Sequence, residues 1–437
     1  MKRDILNACL IGTIFLGAVS FAGPDQGQTD PNSLVKLQDY LRYAALHNAG
    51  LKSSFEQWKA AVEAVPQARA LPDPRFTYGY FIEEVETRVG PQQHRFGITQ
   101  IFPWFGKIEA RTDAAAAAAK AARKRYEGEK LKLFFEVKKT FYEYAYLAEA
   151  VAIARENLEL VKRFEEVARA KYVTSAAGHP DVIRAQVELA TIEERLKALE
   201  ELRQPIVAQL SAILNRDNSG MLPWPDREKF QAVAVDRKWV VGRLRAQNPQ
   251  LQALDFELES ARSRLELAKK RSYPDFGLGV DWIQTGSAVS SGVPGSGADP
   301  VVLMFSLNLP IWRQSYEAAR SQARAQVRQK SQQKRDLENT IVARSERVLY
   351  EFEDSARKVN LYRNVLIPKA EELLGASETA YKAGSIDFLS LIDAQRKLLQ
   401  YGLLHQRAVA DNAQRLAELE MLTGEQVPQL QMKTVND

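Results

Sequence analysis

Residues 98–111, ITQIFPWFGKIEAR, change periodicity at a single proline. Before Pro103, the residues Ile98, Thr99, Ile101 and Phe102 are strand formers. After it, Trp104-Phe105-Gly106-Lys107 leads into an alanine-rich run of high helix propensity. Residues 305–320, FSLNLPIWRQSYEAAR, repeat the pattern around Pro310. In both places a strand stops at a residue that cannot donate to a β-ladder, and a long helix departs.

Outward from these junctions the whole chain is an internal duplication. LPDPRFTYGY (71–80) parallels RSYPDFGLGV (271–280), and KYVTSAAGHPDVIRAQ (171–186) runs without gaps against AYKAGSIDFLSLIDAQ (380–395). Each copy predicts the same order. A helix comes first (33–70; 236–271), then two strands (75–84 and 94–102; 275–284 and 301–309). A very long helix (105–173; 311–383) and a return helix (180–215; 386–423) follow. The first repeat is 23–215, a Pro/Gly/Asn-rich linker fills 216–235, the second repeat is 236–424, and 425–437 forms a tail. Phe134, Val137, Phe141, Tyr144, Ala148 and Val151 alternate spacings of three and four, as do Val348, Phe352, Ser355, Val359, Tyr362 and Leu366, which is a coiled-coil seam. Pro368 falls inside the second rod, where a kink is expected. The fold class is therefore mainly α with a small antiparallel β part.

The strands alternate apolar and small or polar residues, as in Phe76-Tyr78-Tyr80-Ile82 and Phe276-Leu278-Val280-Trp282. About ten such residues suit a transmembrane β-strand, and a half-buried strand of a soluble sheet shows the same alternation. Four strands cannot close a barrel, and open edges are excluded from lipid, so membrane strands would require several chains to pool them. Segments 85–93 and 285–300 are polar and fit exposed barrel tips. Phe102, Pro103, Trp104, Phe105, Pro310 and Trp312 then stand where strand becomes helix, in the position of an interfacial aromatic girdle.

Composition narrows the function classes. The 437 residues carry 60 basic and 55 acidic side chains, a balance that gives no reason to expect nucleic acid. Lys2, Arg3, an apolar run to Phe21 and small residues at Ser20 and Ala22 predict an export leader over 1–22, cleaved before Gly23. The single cysteine, Cys9, lies inside that leader, early in its apolar run, so neither a disulfide nor lipidation is expected. His47, His94, His179 and His405 are scattered, and no phosphate loop, nucleophile elbow or dinucleotide turn is present, so the chain reads as no enzyme and needs no cofactor.

The duplicated order, YKAGSIDFLSLIDAQ with its first-half partner, and LIPKAEELLGASETAYKAG (366–384) resemble the TolC-like outer membrane efflux factors over nearly the whole mature chain. The resemblance implies a homotrimer in outer membrane lipid with one pooled twelve-stranded barrel and a periplasmic coiled-coil tunnel. It implies docking on a periplasmic adaptor and an inner-membrane pump, and efflux through the duct. FPWFGK resembles members that accompany heavy-metal pumps of the resistance–nodulation–division class. At the periplasmic gate, the family's paired aspartates are matched by Asp393 and Asp181 alone, with Ser390 and Arg184 at the other positions; Tyr381 joins these candidates. Gly384 matches the tight turn; in the first half Ser175 replaces that glycine, and Gly178 is the expected substitute. A periplasmic coiled-coil adaptor or spacer is the competing reading; it predicts one helical hairpin and Gly-rich β-domains rather than two hairpins.

Overall fold

The computed structural model describes residues 34–217, 220–226, 230, 233–428 and 430–431; the expected leader lies outside them. The first repeat comprises α1 (Leu37–His47), α2 (Ala49–Arg69), β1 (Arg75–Thr87), β2 (Gly90–Phe102), α3 (Lys107–Val173), α4 (His179–Glu201) and α5 (Arg203–Leu214). After β3 (Val233–Ala234), the second comprises α6 (Arg237–Gln247), α7 (Pro249–Lys270), β4 (Phe276–Thr285), β5 (Val301–Leu307), α8 (Arg313–Leu361), a π-turn (Tyr362–Leu366), α9 (Ile367–Lys382) and α10 (Phe388–Thr423); β6 is Leu430–Gln431. One antiparallel sheet of order β1-β2-β4-β5 sets the two hairpins side by side and leaves β1 and β5 as open edges. The expected linker and tail are not merely connecting chain, because β3 pairs with β6. The 67 residues of α3 make a rod of roughly 100 Å.

Each helix expected ahead of the strands is in fact two, broken at Asn48 and at Asn248. The two breaks are built alike. Asn48 Oδ1 accepts from the Leu51 N–H at 2.8 Å while its Nδ2 donates to the Ile213 carbonyl at 2.8 Å. Asn248 accepts from Leu251 N at 3.1 Å and donates to the Leu422 carbonyl at 2.9 Å. One side chain thus caps a helix start and satisfies a carbonyl at the end of the return helix. The first return helix also divides, at Leu202, because Pro205 supplies no N–H and its ring crowds the preceding turn.

The rods are packed at corresponding positions. In α3, Leu133, Val137, Phe141, Tyr144 and Val151 are buried; 208 positions on, so are Ile341, Ser345, Leu349, Phe352 and Val359. Phe134 and Ala148 of the expected seam are only half-buried, and Phe135 and Leu147 take the inward places. Below the π-turn the separation becomes 209: Val161, Ala168 and Ala185 match Ala370, Ser377 and Ala394, all buried. The one extra residue is what an i→i+5 turn inserts, and it sits just before Pro368. The second rod therefore meets its proline by widening over Tyr362–Leu366. At mid-height Leu222, fully buried, is held on α3: its carbonyl accepts from Tyr144 Oη and Arg203 Nη2, both at 2.8 Å, while Trp224 stacks on Tyr144 at 5.0 Å.

Candidate functional site

The sheet presents one apolar face to the outside. Its register aligns Phe76, Ile98, Val280 and Leu303 in one cross-strand row, which are 67%, 55%, 43% and 78% exposed, and Tyr78, Phe96, Trp282 and Val301 in the next. The other face carries Thr77, Gly97, Gly277, Ser306 and an Arg95–Asp281 ion pair, with Asp281 1% exposed. A Cβ on Gly97 would lie 2.3 Å from Asp281 Oδ1, so glycine is needed for the carboxylate to fit. Such a long exposed apolar face, opposite a polar one, is suited to lipid outside and water inside. Among the described residues no helix is long and apolar enough to cross a membrane.

The first hairpin is longer than expected: pairing continues to Thr87↔Gly90, so 85–93 is largely strand with a tight turn. Gly90 has φ 137°, and a Cβ there would come 1.8 Å from the Gly286 carbonyl. The tip segments lock together as Gly297 N donates to Val89 O and Gly286 N to Pro91 O, both at 2.8 Å. β5 ends at Leu307 rather than 309, and one further rung follows it: Asn308 N donates to the Asp275 carbonyl at 3.1 Å while its side-chain Oδ1 accepts from Asp275 N.

At the strand-to-helix junction, Asp275 of the second repeat organises the first. Its Oδ1 accepts from Trp104 N and Lys107 Nζ, both at 2.7 Å. Trp104 stacks on Tyr273 at 5.7 Å, and Phe102 on Phe276 at 5.6 Å. Phe105 and Trp312 face outward, 74% and 73% exposed, while Pro103 and Pro310 are half-buried. Gly106 starts α3 with φ 76°, a conformation that disfavours side chains. Sequence reading singled out the aromatics but missed Asp275, although YPDF and PWFGK both lie in the aligned segments.

At the other end of the rods the candidates separate. Ser175 itself adopts the left-handed conformation, φ 59°, as Gly384 does at φ 77°. Gly178 instead has φ −82° and is the extended N-cap of α4, so it does not replace the missing glycine. Tyr381 is 3% exposed, edge-on to Phe388 at 5.4 Å, with Lys171 Nζ 4.5 Å from its ring centroid; Lys171 also donates to the Tyr381 carbonyl. Burial, and then the Asp181 carboxylate, push the Tyr381 phenol upward, so it stays neutral. Its first-repeat counterpart Tyr172 is exposed and lies against His179. Asp181 pairs with Arg184 at 3.3 Å, and Asp393, with its side chain 58% exposed, pairs with Lys397 at 2.7 Å. Ser390 bonds Asp387, the N-cap of α10, through its backbone N–H at 2.9 Å and its hydroxyl at 2.6 Å; these bonds hold the Asp387 carboxyl below its usual range. Two ties that were not foreseen join the hairpins just above: a half-exposed Arg396 with the buried Glu188, and a buried bond in which Gln395 Nε2 donates to Asn157 Oδ1 at 2.6 Å.

Comparison with known proteins agrees with this layout. A family model for outer membrane efflux proteins matches residues 41–216 and 240–425. The chain is 22% identical over 410 residues to nodulation protein T of Rhizobium leguminosarum, covering 89% of this chain and 85% of that one. It is 20% identical over 399 residues to the cobalt-zinc-cadmium resistance protein CzcC of Cupriavidus metallidurans, covering 89% and 90%. Solved structures of the same fold include the outer membrane protein VceC of Vibrio cholerae, with TM-score 0.73, 17% identity and 89% and 96% coverage. They also include CusC, with TM-score 0.76, 13% identity and 89% and 92% coverage. With the duplicated hairpins, the outward apolar face and the paired rods in hand, the match to both repeats makes the chain a member of the outer membrane efflux protein family.

Proposed function

We propose that this chain is the outer membrane duct of a tripartite efflux system. Three copies close one barrel of about twelve strands, and their rods make a tunnel into the periplasm. The narrow end receives a periplasmic adaptor and an inner-membrane pump of the resistance–nodulation–division type, and the leader is removed after Ala22. The carrying observation is the sheet itself: its outward face is apolar, yet β1 and β5 are open edges, and lipid tolerates no unpaired ladder. Likeness to CzcC supports heavy-metal cations as cargo. The mass of the detergent-solubilised particle is the test of assembly. It should correspond to three chains; a monodisperse monomer that still conducts overturns the reading.

We assign the far end of the rods to the mouth, with Asp393, Asp181, Tyr381, Ser390 and Arg184 arranged around it by symmetry. The Asp393–Lys397 pair is exposed and nearly neutral. Asp393→Asn therefore leaves Lys397 uncompensated and adds one positive charge per chain at the mouth. Cation selectivity in a planar bilayer should fall, and polyvalent cations should block less, at unchanged trimer yield. Unchanged selectivity removes Asp393 from the mouth.

A further inference from the structure

Both rims of the sheet are charged, and the signs are opposite. At the tips, segments 81–93 and 284–300 hold Glu83, Glu84, Glu86 and Asp299 against Arg88. At the strand-to-helix junction the balance reverses. Within about one helical turn of Phe105 and Trp312 stand Arg75, Lys107, Lys269, Lys270, Arg271 and Arg313, against Asp73, Glu109 and Asp275. One turn farther from the sheet the charges cancel, with Arg69, Arg111 and Arg320 against Asp113, Glu266 and Glu317. The cationic excess is therefore a single ring at the level of the exposed aromatics.

The cations nearest those aromatics are not neutralised within the chain. Asp275 is taken by Lys107, and Lys269 pairs with Glu266 one turn below. Lys270 lies over Gly106, where a Cβ would come 2.6 Å from its Nζ, so the ammonium is held next to the Phe105 position. Among the described residues Lys270, Arg271, Arg313 and Arg75 make no ion pair or side-chain hydrogen bond. In the aligned segments Arg75 stands where the second repeat has Asp275, so the first repeat lacks that carboxylate. Arg271 is two residues from Tyr273, and Arg313 follows Leu309, Ile311 and Trp312; all six are exposed. Unpaired cations and apolar surface thus share one level.

We propose that this ring binds the phosphate of an anionic glycerophospholipid, in the membrane leaflet nearest the helices, with the acyl chains along the aromatics. The inference rests on the reading that the sheet lies in lipid, and adds the headgroup class and the residues that select it. Arg271 and Arg313 offer forked N–H groups that match phosphate oxygens, and Lys270 adds a compact charge. Tyr273 and Trp312 suit the boundary between headgroup and acyl chain. A zwitterionic lipid brings its own ammonium to the ring and cancels most of the attraction, whereas a lipid of net negative charge keeps it. The acidic tips repel the same headgroup, so the charge pattern ties the anionic lipid to one leaflet.

The full chain, reconstituted in vesicles of equal parts phosphatidylcholine and phosphatidylglycerol, tests this by native mass spectrometry. Lipid that stays bound should be enriched in phosphatidylglycerol roughly fivefold. Lys270→Gln combined with Arg271→Gln and Arg313→Gln should bring the two lipids to parity. Arg271→Lys with Arg313→Lys keeps the charge and should retain most of the enrichment, and Arg88→Gln at the opposite rim should not change it. Equal retention of both lipids by the inserted wild type, or enrichment that survives the triple substitution, overturns the proposal and leaves the membrane reading standing. Inorganic phosphate that raises the melting temperature in detergent as much as phosphatidylglycerol does makes the ring a free-anion site, and also overturns it. A chain that fails to float with phosphatidylcholine vesicles removes the membrane reading itself.

Discussion

Asn248→Ala should lower the unfolding free energy by about 2–4 kcal/mol. Two effects combine. The α7 start loses its cap, a cost of about 0.5–2 kcal/mol. The Leu422 carbonyl, buried beside a 3% exposed side chain, is left without its donor, a further cost of about 1–3 kcal/mol. Asn48→Ala removes the same pair of bonds at a half-buried position, so about 1–2 kcal/mol is expected there. Asn248→Asp keeps the cap acceptor but loses the donor and buries a charge, so it should not rescue. Helix content followed through denaturant at one fixed protein concentration gives the comparison. Equal midpoints for the wild type and Asn248→Ala would show that the break is held by packing alone.

These asparagines also mark the limit of what the sequence made legible. Periodicity revealed the rods, since a seam repeated over many turns outweighs local noise, and proline marked both junctions. The matched segments around Pro74 and Pro274 exposed the duplication. The asparagine breaks stayed hidden because the helical pattern resumes one residue later, and a break that keeps phase leaves no gap. Asn48 and Asn248 do stand at the repeat separation, which is a signal that could have been used. The junction carboxylate Asp275 was hidden for another reason: its partners Trp104 and Lys107 come from the other repeat, and no local spacing records which strands lie side by side. The π-turn was legible only as a change of separation from 208 to 209 between the repeats, which Pro368 alone does not predict. At the tips the aligned tyrosines misled, since Tyr172 is exposed and Tyr381 buried, and their fates depend on Lys171 reaching across from the first rod.

Tyr381→Ala should hold the mouth open. The ring fills a site closed by Phe388 and by the Lys171 ammonium, and Lys171 belongs to the opposite hairpin, so this contact ties the α3–α4 tip to the α9–α10 tip. Truncating a buried aromatic costs about 3–5 kcal/mol. If that loss falls on the closed arrangement alone, about 3 kcal/mol shifts the closed-to-open ratio by roughly two powers of ten. Single-channel conductance in a planar bilayer should then rise above the wild-type level and hold steady there. Tyr381→Phe separates packing from polarity. The Tyr381 hydroxyl is buried with no hydrogen-bond partner, so its removal should leave the mouth closed, and as tight or tighter. Lys171→Met keeps the stem over the ring but removes the charge and the bond to the Tyr381 carbonyl, so it should open the mouth less than Tyr381→Ala does. Wild-type conductance from an intact Tyr381→Ala trimer would mean that the tyrosine packs the tip without restraining it, and the restraint would have to lie in the Arg396–Glu188 and Gln395–Asn157 ties above.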